Sequence, residues 1–339
     1  MKHSIGILGT GSYVPEQVLT NQSLEASLGL ADGWIYTKTG IKERRVACEH
    51  EATSDLATRA AQQALASAHI KASELDLVVV ATSTPDYPQP STACLVQANI
   101  GATRAAAFDL AAVCTGFIYA LMVAEAALSS HKHWRTALVI GADTYSRILD
   151  YTDKRTCILF GDGAGAVVLG RVSENSGILS SYVQADGSRS NIIQVPGGGT
   201  RKPFSTLSNE SKDLFFQMDG RAVRAFAQTV FPEVVYTLLR SNEMALDDID
   251  LIIPHQANGV ILRECMQAMN IPPEKMYMTI ERYGNTSAAS IPITLDNAVQ
   301  AGRVQEAQTI ILVGFGGGLT WGGMLMHWSE APLALARYQ

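Results

Sequence analysis

Residues 108–121 read Phe-Asp-Leu-Ala-Ala-Val-Cys-Thr-Gly-Phe-Ile-Tyr-Ala-Leu. Apolar residues run up to Cys114, and many helix-forming residues follow from Gly116 to Leu128. The pattern predicts a buried strand, a tight turn and a long apolar helix with Cys114 in its first turn. A thiol there sits at the positive end of the helix dipole, which favours the thiolate. The alternative is that Cys114 is a small core hydrophobe.

Around this stretch, the chain repeats one order of elements. A helical pattern over 54–68 leads through an acidic turn into the apolar strand 77–82. A second helical pattern over 221–239 leads in the same way into 251–255. Strands of Val, Ile and Leu between helices are typical of strands buried on both faces.

A second pair of strands, residues 135–142 and 307–314, also matches. The sequence therefore predicts two copies of one βαβ-type unit, joined near residues 171–180. We assign residues 1–172 to an N-terminal half with the cysteine and residues 173–339 to a C-terminal half. The fold class is α/β. The irregular stretch 186–216 is interpreted as an excursion rather than a further domain.

Composition narrows the function classes. The chain has 339 residues and a net charge of −6, which argues against general nucleic-acid binding. We expect no transmembrane helix, and the first residues are typical of a strand rather than a secretory signal. The five cysteines are scattered and odd in number, so we expect neither a disulfide framework nor a metal cluster. These features favour a reduced, cytoplasmic protein.

Three polar clusters in the second half carry candidate chemistry. His255 ends an apolar strand and precedes a helix, where ligand sites form in α/β sheets, although a core histidine is the alternative. Asn285 begins a run of small residues before a helix marked by Ser and Pro292, and the alternative is a turn former. Glycines 316–318 follow the last apolar strand and leave backbone N–H groups open to an anion, or else form a turn.

Together with Cys114, these clusters provide a thiol nucleophile, an imidazole, an amide and an anion-binding backbone. These are the parts needed for acyl transfer through a thioester. The repeat can bring the distant strand ends together at one pseudo-dyad.

The motifs around these residues resemble those of the 3-oxoacyl-[acyl-carrier-protein] synthase III family. The similar segments follow one another along nearly the whole chain, at residues 32–41, 90–94, 112–117, 160–166, 254–258, 284–292 and 316–322. The resemblance implies the thiolase fold, with two similar halves in five layers (α-β-α-β-α), as a homodimer. The implied activity is a decarboxylative Claisen condensation of an acyl group with a malonyl thioester, in fatty-acid, polyketide or other secondary-metabolite biosynthesis.

The resemblance also implies roles for individual residues. Cys114 takes the acyl group from coenzyme A, and His255 and Asn285 promote loss of carbon dioxide from the malonyl thioester. The oxyanion hole is formed by the backbone N–H groups of Cys114 and Gly317. Contacts to the substrate or coenzyme A are implied for Trp34, Lys38, Thr39, Lys154, Asn258, Phe315 and Gln89. Coenzyme A enters as a substrate, no cofactor or metal is expected, and acyl carrier protein is a candidate partner.

Three departures from the family pattern bear on the substrate. Gln89 replaces a phenylalanine that closes the acyl pocket across the dimer, which puts simple acetyl priming in doubt. Lys154 replaces an arginine beside the nucleotide. Gly259 and Val260 stand where the family has a docking Leu-Arg pair. The candidates to replace that docking site are Arg221, Arg224 and Arg263.

These departures fit a specialised branch at least as well as fatty-acid initiation. Two other functions remain as alternatives. One is an acyltransferase that moves the acyl group from Cys114 to an amine or alcohol without decarboxylation. The other is a non-catalytic scaffold of the same fold, against which the intact set of Cys114, His255 and Asn285 argues.

Overall fold

The computed structural model describes residues 4–174 and 176–329. Its strands are β1 (Ser4–Tyr13), β2 (Val18–Thr20), β3 (Glu43–Arg45), β4 (Leu77–Ala81), β5 (Ala106–Leu110), β6 (Ala137–Asp143), β7 (Gly163–Val172), β8 (Gly177–Ala185), β9 (Ile193–Gln194), β10 (Gln217–Met218), β11 (Leu251–Pro254), β12 (Thr309–Gly316) and β13 (Thr320–His327). Its helices are α1 (Asn21–Leu28), α2 (Trp34–Thr39), α3 (Thr53–Ala68), α4 (Thr92–Asn99), α5 (Gly116–Ser130), α6 (Gly220–Ser241), α7 (Gly259–Ala268), α8 (Ile280–Tyr283) and α9 (Ser290–Gln300). Short 3-10 turns, Val113–Thr115 and Ser287–Ala289, directly precede α5 and α9.

The longer strands form two sheets with matching order. The first runs β1-β7-β6-β4-β5 and the second runs β8-β13-β12-β11. In each sheet the first three strands are antiparallel and the fourth is parallel to the third. The counterpart of β5 is reduced to one parallel bridge between Ile252 and Met276. The two copies predicted from the sequence are therefore visible in the strand order.

The sheets and helices stack in five layers. Helix α3 packs on the outer face of the first sheet, against β1, β6 and β7, and α6 packs on the second sheet, against β8, β12 and β13. Helices α5 and α9 lie between the sheets and contact both of them. This is the α-β-α-β-α architecture that the resemblance implies.

The middle helix α5 explains the apolar stretch around Cys114. Residues Val113–Ser130 are long and apolar enough to cross a bilayer by length and composition. In this fold, however, Phe117, Ile118 and Leu121 are fully buried in a core that also contains strands of both sheets. The low polarity of α5 thus follows from its place between two apolar sheet faces.

The strand before Cys114 is less buried than the sequence predicts. Within residues 4–174 and 176–329, β5 is an edge strand whose one neighbour is β4, and Phe108 is 38% exposed. The prediction of a buried strand is therefore wrong for β5, because an apolar run does not distinguish a central strand from an edge strand. The boundary predicted after residue 172 falls between β7, which ends at Val172, and β8, which begins at Gly177.

Candidate active site

The turn before α5 places the candidate nucleophile. Val113 has a φ of 48°, in the left-handed region that β-branched residues rarely adopt. This sharp turn carries the chain from the edge strand β5 into α5, with Cys114 between them in the 3-10 turn. The Cys114 side chain is buried but lines a cavity of about 1490 Å³.

Burial controls the protonation of Cys114. Burial raises the pKa of the Cys114 thiol to about 12, mainly through desolvation, and the nearby Asp143 acts in the same direction. The Ser287 hydroxyl and the backbone N–H groups of Cys114 and Gly317 act in the opposite direction but do not outweigh burial. The expected thiolate is therefore wrong for the free site: at neutral pH Cys114 is a thiol.

His255 follows β11 at the end where a ligand is expected in an α/β sheet. Its Nδ1 lies 2.7 Å from the Ser290 hydroxyl, and its ring meets Phe315 edge to face at 5.4 Å between centroids. Desolvation lowers the pKa of His255 to about 3, so the imidazole is neutral at neutral pH. Among the described residues, no hydrogen bond involves Nε2, and His255 lines the same cavity as Cys114.

Asn285 is fixed through its backbone and one side-chain oxygen. Its N–H donates to the Leu159 carbonyl at 2.8 Å and its carbonyl accepts from the Gly161 N–H at 3.0 Å. Its Oδ1 accepts from the Ser287 N–H at 2.8 Å. No partner in the described chain takes the Asn285 Nδ2 group, and the residue lines the cavity. Asn285 can therefore offer two N–H donors to a ligand there.

The end of β12 closes the cavity against the nucleophile. A Cβ added to Gly316 would lie 2.6 Å from the Cys114 Cβ and 3.1 Å from its sulfur, so only glycine fits. The next residue, Gly317, presents its N–H to the Cys114 sulfur. The structure thus brings together Cys114, His255 and Asn285 in one cavity, with two backbone donors at the sulfur.

Another part of the cavity lining, which we call the mouth, contains cations and an aromatic ring. Trp34 lines it, with the Lys154 ammonium 5.7 Å from its ring centroid. Lys38 and Arg221 also line it, and neither these two nor Lys154 forms an ion pair within residues 4–174 and 176–329. Such a mouth suits a ligand with phosphate groups and a flat ring.

Two residues predicted to contact the substrate also form hydrogen bonds that stabilise the fold. Asn258 caps α7, because its Oδ1 accepts from the N–H groups of Val260 at 2.8 Å and Ile261 at 3.3 Å. Thr39 is buried and donates to the Ile35 carbonyl at 2.7 Å. Both line the cavity; the Asn258 Nδ2 group donates to the Lys38 carbonyl at 3.3 Å, and the Thr39 hydroxyl also accepts from the Ile41 N–H at 3.0 Å. No group of three or more His, Cys, Asp and Glu side chains in the described part of the chain is placed to hold a metal ion.

The comparisons with known proteins agree with this geometry. Models of the 3-oxoacyl-[acyl-carrier-protein (ACP)] synthase III family match residues 108–187 and, for its C-terminal part, residues 239–328. A beta-ketoacyl-[acyl-carrier-protein] synthase III from Caldanaerobacter subterraneus subsp. tengcongensis is 46% identical over 97% of this chain and 99% of its own. The chain belongs to the 3-oxoacyl-[acyl-carrier-protein] synthase III family. It is an acyltransferase that forms a 3-oxoacyl thioester by decarboxylative condensation.

Solved structures extend the comparison for this synthase III. The 3-oxoacyl-[acyl-carrier-protein] synthase III from Aquifex aeolicus superimposes with a TM-score of 0.88 at 42% identity, covering 96% of this chain and 100% of that one. The priming beta-ketosynthase from the R1128 polyketide pathway has a TM-score of 0.89 at 29% identity, covering 98% of each chain. The thiolase-like fold is therefore confirmed.

Some predicted residues of the synthase III lie outside the cavity. Gln89 is exposed in the segment before α4 and does not line the cavity of its own chain. The Arg224 guanidinium is paired with Glu264. Arg263 is exposed and packs over Gly40 at the end of α2. Of the three candidate docking arginines, Arg224 is thus the one already engaged by a carboxylate.

The sequence analysis did not identify the side chains that contact the candidate catalytic residues of the synthase III. The Ser287 hydroxyl is 3.6 Å from the Cys114 sulfur, and Ser290 bonds His255 instead of capping α9. The buried Asp143 accepts from the Ala288 N–H at 3.0 Å. Both serines stand in the 284–292 motif, but their local pattern is that of a helix start. The packing of the turn Ser287–Ala289 on the turn Val113–Thr115 reveals the partner of Ser287, and the packing of α9 on β11 reveals that of Ser290.

Proposed function

We propose that Cys114, His255 and Asn285 divide the condensation into acylation, decarboxylation and carbon–carbon bond formation. In acylation, the Cys114 sulfur attacks the carbonyl of an acyl-CoA, and the bond to the coenzyme A sulfur breaks. The proton of the buried Cys114 thiol leaves with coenzyme A as its thiol. The N–H groups of Cys114 and Gly317 stabilise the oxyanion that forms in between.

Decarboxylation uses the N–H donors of His255 and Asn285 that face the cavity. A malonyl thioester loses carbon dioxide when the carbon–carbon bond to its carboxylate breaks and the electron pair passes into an enolate. His255 Nε2–H and Asn285 Nδ2–H donate to the thioester oxygen as this charge develops. Both donors are neutral, and an amide adds no negative charge beside the malonyl carboxylate.

Condensation then returns the enzyme to its starting state. The enolate carbon attacks the acyl carbonyl on Cys114, the carbon–sulfur bond breaks, and the 3-oxoacyl thioester is released. The Cys114 thiolate takes one proton from solvent, which balances the overall reaction. Phe315 packs against His255 and keeps the reacting end of the cavity apolar.

The cavity mouth is the proposed site for coenzyme A and a carrier protein. The Trp34 ring and the Lys154, Lys38 and Arg221 cations suit the adenine and phosphate groups of coenzyme A. An acyl carrier protein would present its thioester at the same mouth. Arg221 and Arg263 remain as docking candidates, because neither has an ion-pair partner within the described ranges.

The observation that carries the proposal is that Cys114, His255 and Asn285 line one cavity, with Nε2 and Nδ2 unengaged. The test is to incubate the protein with labelled acyl-CoA and malonyl-[acyl-carrier-protein]. We expect carbon dioxide release and a chain-extended product, with the acyl group found on Cys114 by intact mass. Label transferred to an amine or alcohol without carbon dioxide would instead establish the simple acyltransferase.

Replacing Asn285 with aspartate distinguishes malonyl decarboxylation from acylation of Cys114. Asn285→Asp keeps the shape but removes two N–H donors and places a negative charge beside the malonyl carboxylate. We expect malonyl decarboxylation to fall by about two to three orders of magnitude, while Cys114 is still acylated. Cys114→Ala is the complementary control, which should lose acylation but keep decarboxylation. Equal loss of both activities in Asn285→Asp would contradict the assignment.

A dimer and a cytoplasmic location complete the proposal. The free edge of β5, with exposed Phe108, is suited to pair with the same edge of a second copy. Because α4 packs on β5, such pairing brings the Gln89 segment close to the partner subunit. All five cysteines are free, which fits the reducing cytoplasm.

A further inference from the structure

The inference concerns the proton of the His255 imidazole, and it rests on the proposed role of that residue. A neutral imidazole carries one proton, on Nδ1 or on Nε2. Only the Nε2–H form can donate to a thioester oxygen in the cavity. The other form presents a lone pair, which would repel the enolate oxygen. Something in the structure must therefore select between the two forms.

Ser290 is the side chain that meets Nδ1. Its hydroxyl oxygen lies 2.7 Å from Nδ1 and also 3.3 Å from the backbone N–H of Gln256. Ser290 is 1% exposed and is the first residue of α9, while His255 follows β11. The contact therefore joins two segments that are far apart in sequence but packed together between the sheet and the middle helix layer.

Counting donors and acceptors fixes the direction of this bond. The Gln256 N–H can only donate, so it uses one lone pair of the Ser290 oxygen. The Ser290 O–H then needs an acceptor, and His255 Nδ1 is the acceptor that it meets in the described structure. With the reverse arrangement, Nδ1–H would donate to Ser290 and leave a buried hydroxyl proton without a partner, which is costly.

We propose that Ser290 is a positioning residue that holds the His255 proton on Nε2, so that the cavity receives a donor rather than a lone pair. The Ser290 O–H donates to Nδ1, and the tautomer follows from that bond. Ser290 is not among the described residues that line the cavity, and its side-chain hydrogen bonds there go to His255 and Gln256. Its effect is confined to the step that uses His255.

The first test reads the tautomer directly. In protein labelled with ring-¹⁵N histidine, the His255 signals are assigned by their loss in His255→Asn. We expect a pyridine-type Nδ1 and a pyrrole-type Nε2 in the unsubstituted protein, and signals that move toward exchange averaging in Ser290→Ala. A pyrrole-type Nδ1 in the unsubstituted protein, or an unchanged pattern in Ser290→Ala, would overturn the inference.

The second test separates positioning from a general structural effect. Ser290→Ala should lower kcat for malonyl decarboxylation by roughly tenfold while the rate of Cys114 acylation is retained. Ser290→Thr keeps the hydroxyl and should recover most of the loss. Thr294→Val is the matched control, because it removes another buried hydroxyl bond of α9, from Thr294 to Thr279 at 2.6 Å, without touching His255.

The outcomes distinguish this inference from the proposed function. If His255→Asn decarboxylates at the unsubstituted rate, the proposed role of His255 is wrong. If His255→Asn is inactive but Ser290→Ala is not slowed, His255 acts without Ser290 and this inference is wrong. If Thr294→Val shows the same selective loss as Ser290→Ala, the effect is structural and the positioning role is also rejected.

Discussion

At the scale of single residues, burial decides the chemistry of the site. Desolvation keeps Cys114 a thiol and His255 a neutral imidazole, although the sequence alone favours a thiolate at a helix start. Both groups are neutral at pH 7 until a thioester binds. Charge in this site therefore develops on the substrate, where the N–H donors are directed, rather than on resting side chains.

The protonation of His255 predicts a pH dependence of stability. The imidazole has an ordinary pKa of 6.5 in the unfolded chain and about 3 in the fold. Below pH 6.5 the unfolded chain gains a proton that the folded chain does not, so the free energy of unfolding falls as the pH falls towards 3. At pH 5 this loss is about 2 kcal/mol relative to pH 7.

Urea denaturation of the protein and of His255→Asn at pH 7 and pH 5 measures the contribution of His255 to the free energy of unfolding. We expect the free energy of unfolding to fall between the two pH values by about 2 kcal/mol more in the unsubstituted protein. The other histidines are common to both proteins and cancel in the comparison. Equal losses in both proteins would contradict a neutral, buried His255.

The sequence motifs indicate the candidate reacting residues but not the side chains that support them. Cys114, His255 and Asn285 stand at strand ends or turns, where short motifs can be interpreted. The contacts of Ser287 with Cys114, of Ser290 with His255 and of Asp143 with the Ala288 N–H form only through tertiary packing. No spacing along the chain encodes that contact, because Asp143 and Ala288 are 145 residues apart.

At the scale of elements, the end of β12 and the turn before α5 form one unit. The Thr320 hydroxyl, at the start of β13, lies within hydrogen-bond distance of the carbonyls of Gly317 at 2.9 Å and Ala112 at 3.2 Å. The hydroxyls of Thr320 and Thr115 are 3.1 Å apart. These contacts tie together the two segments that carry the proposed oxyanion donors, so their spacing is set by the strand pair β12 and β13.

Substitution of Gly316 tests this close approach. In Gly316→Ala the new Cβ would meet the Cys114 Cβ at 2.6 Å, so either β12 or the nucleophile turn must shift. We expect loss of Cys114 acylation by about 100-fold, since misplacement near 1 Å has that effect. Acylation is measured by intact mass after timed exposure to acyl-CoA.

Gly187→Ala is the control for this substitution, because a Cβ there meets nothing within 4 Å. It should acylate at the unsubstituted rate. If Gly316→Ala also acylates normally, the nucleophile turn is more adaptable than its packing indicates, and the proposed oxyanion geometry is wrong.

Regular elements were predictable where burial is complete. The strands β4, β6, β11 and β12 lie where apolar runs between helices predict them, because both faces of each strand are covered. The edge position of β5 was not predictable, since its apolar side chains resemble those of a central strand. The segment between β8 and α6 forms part of the cavity wall. It has no helical or strand periodicity from which its turns could be predicted.

At the scale of the whole molecule, the free edge of β5 predicts assembly. Phe108→Lys would place a charge on the edge where the proposed second copy pairs. We expect the molar mass from light scattering to change from two chains to one. Tyr236→Lys, an exposed position on α6 away from this edge, should remain a dimer. A Phe108→Lys protein that stays dimeric would place the interface elsewhere.

The layer formed by α5 and α9 constrains how the gene for this protein can recombine. Either half on its own would leave an apolar sheet face and one middle helix without cover, since both sheets share a single core. We therefore expect that a gene fragment encoding one half gives a chain that does not fold on its own. Recombination between relatives gives a folded protein when the inner surfaces of the N-terminal and C-terminal halves match. We therefore expect the two halves to have been inherited together.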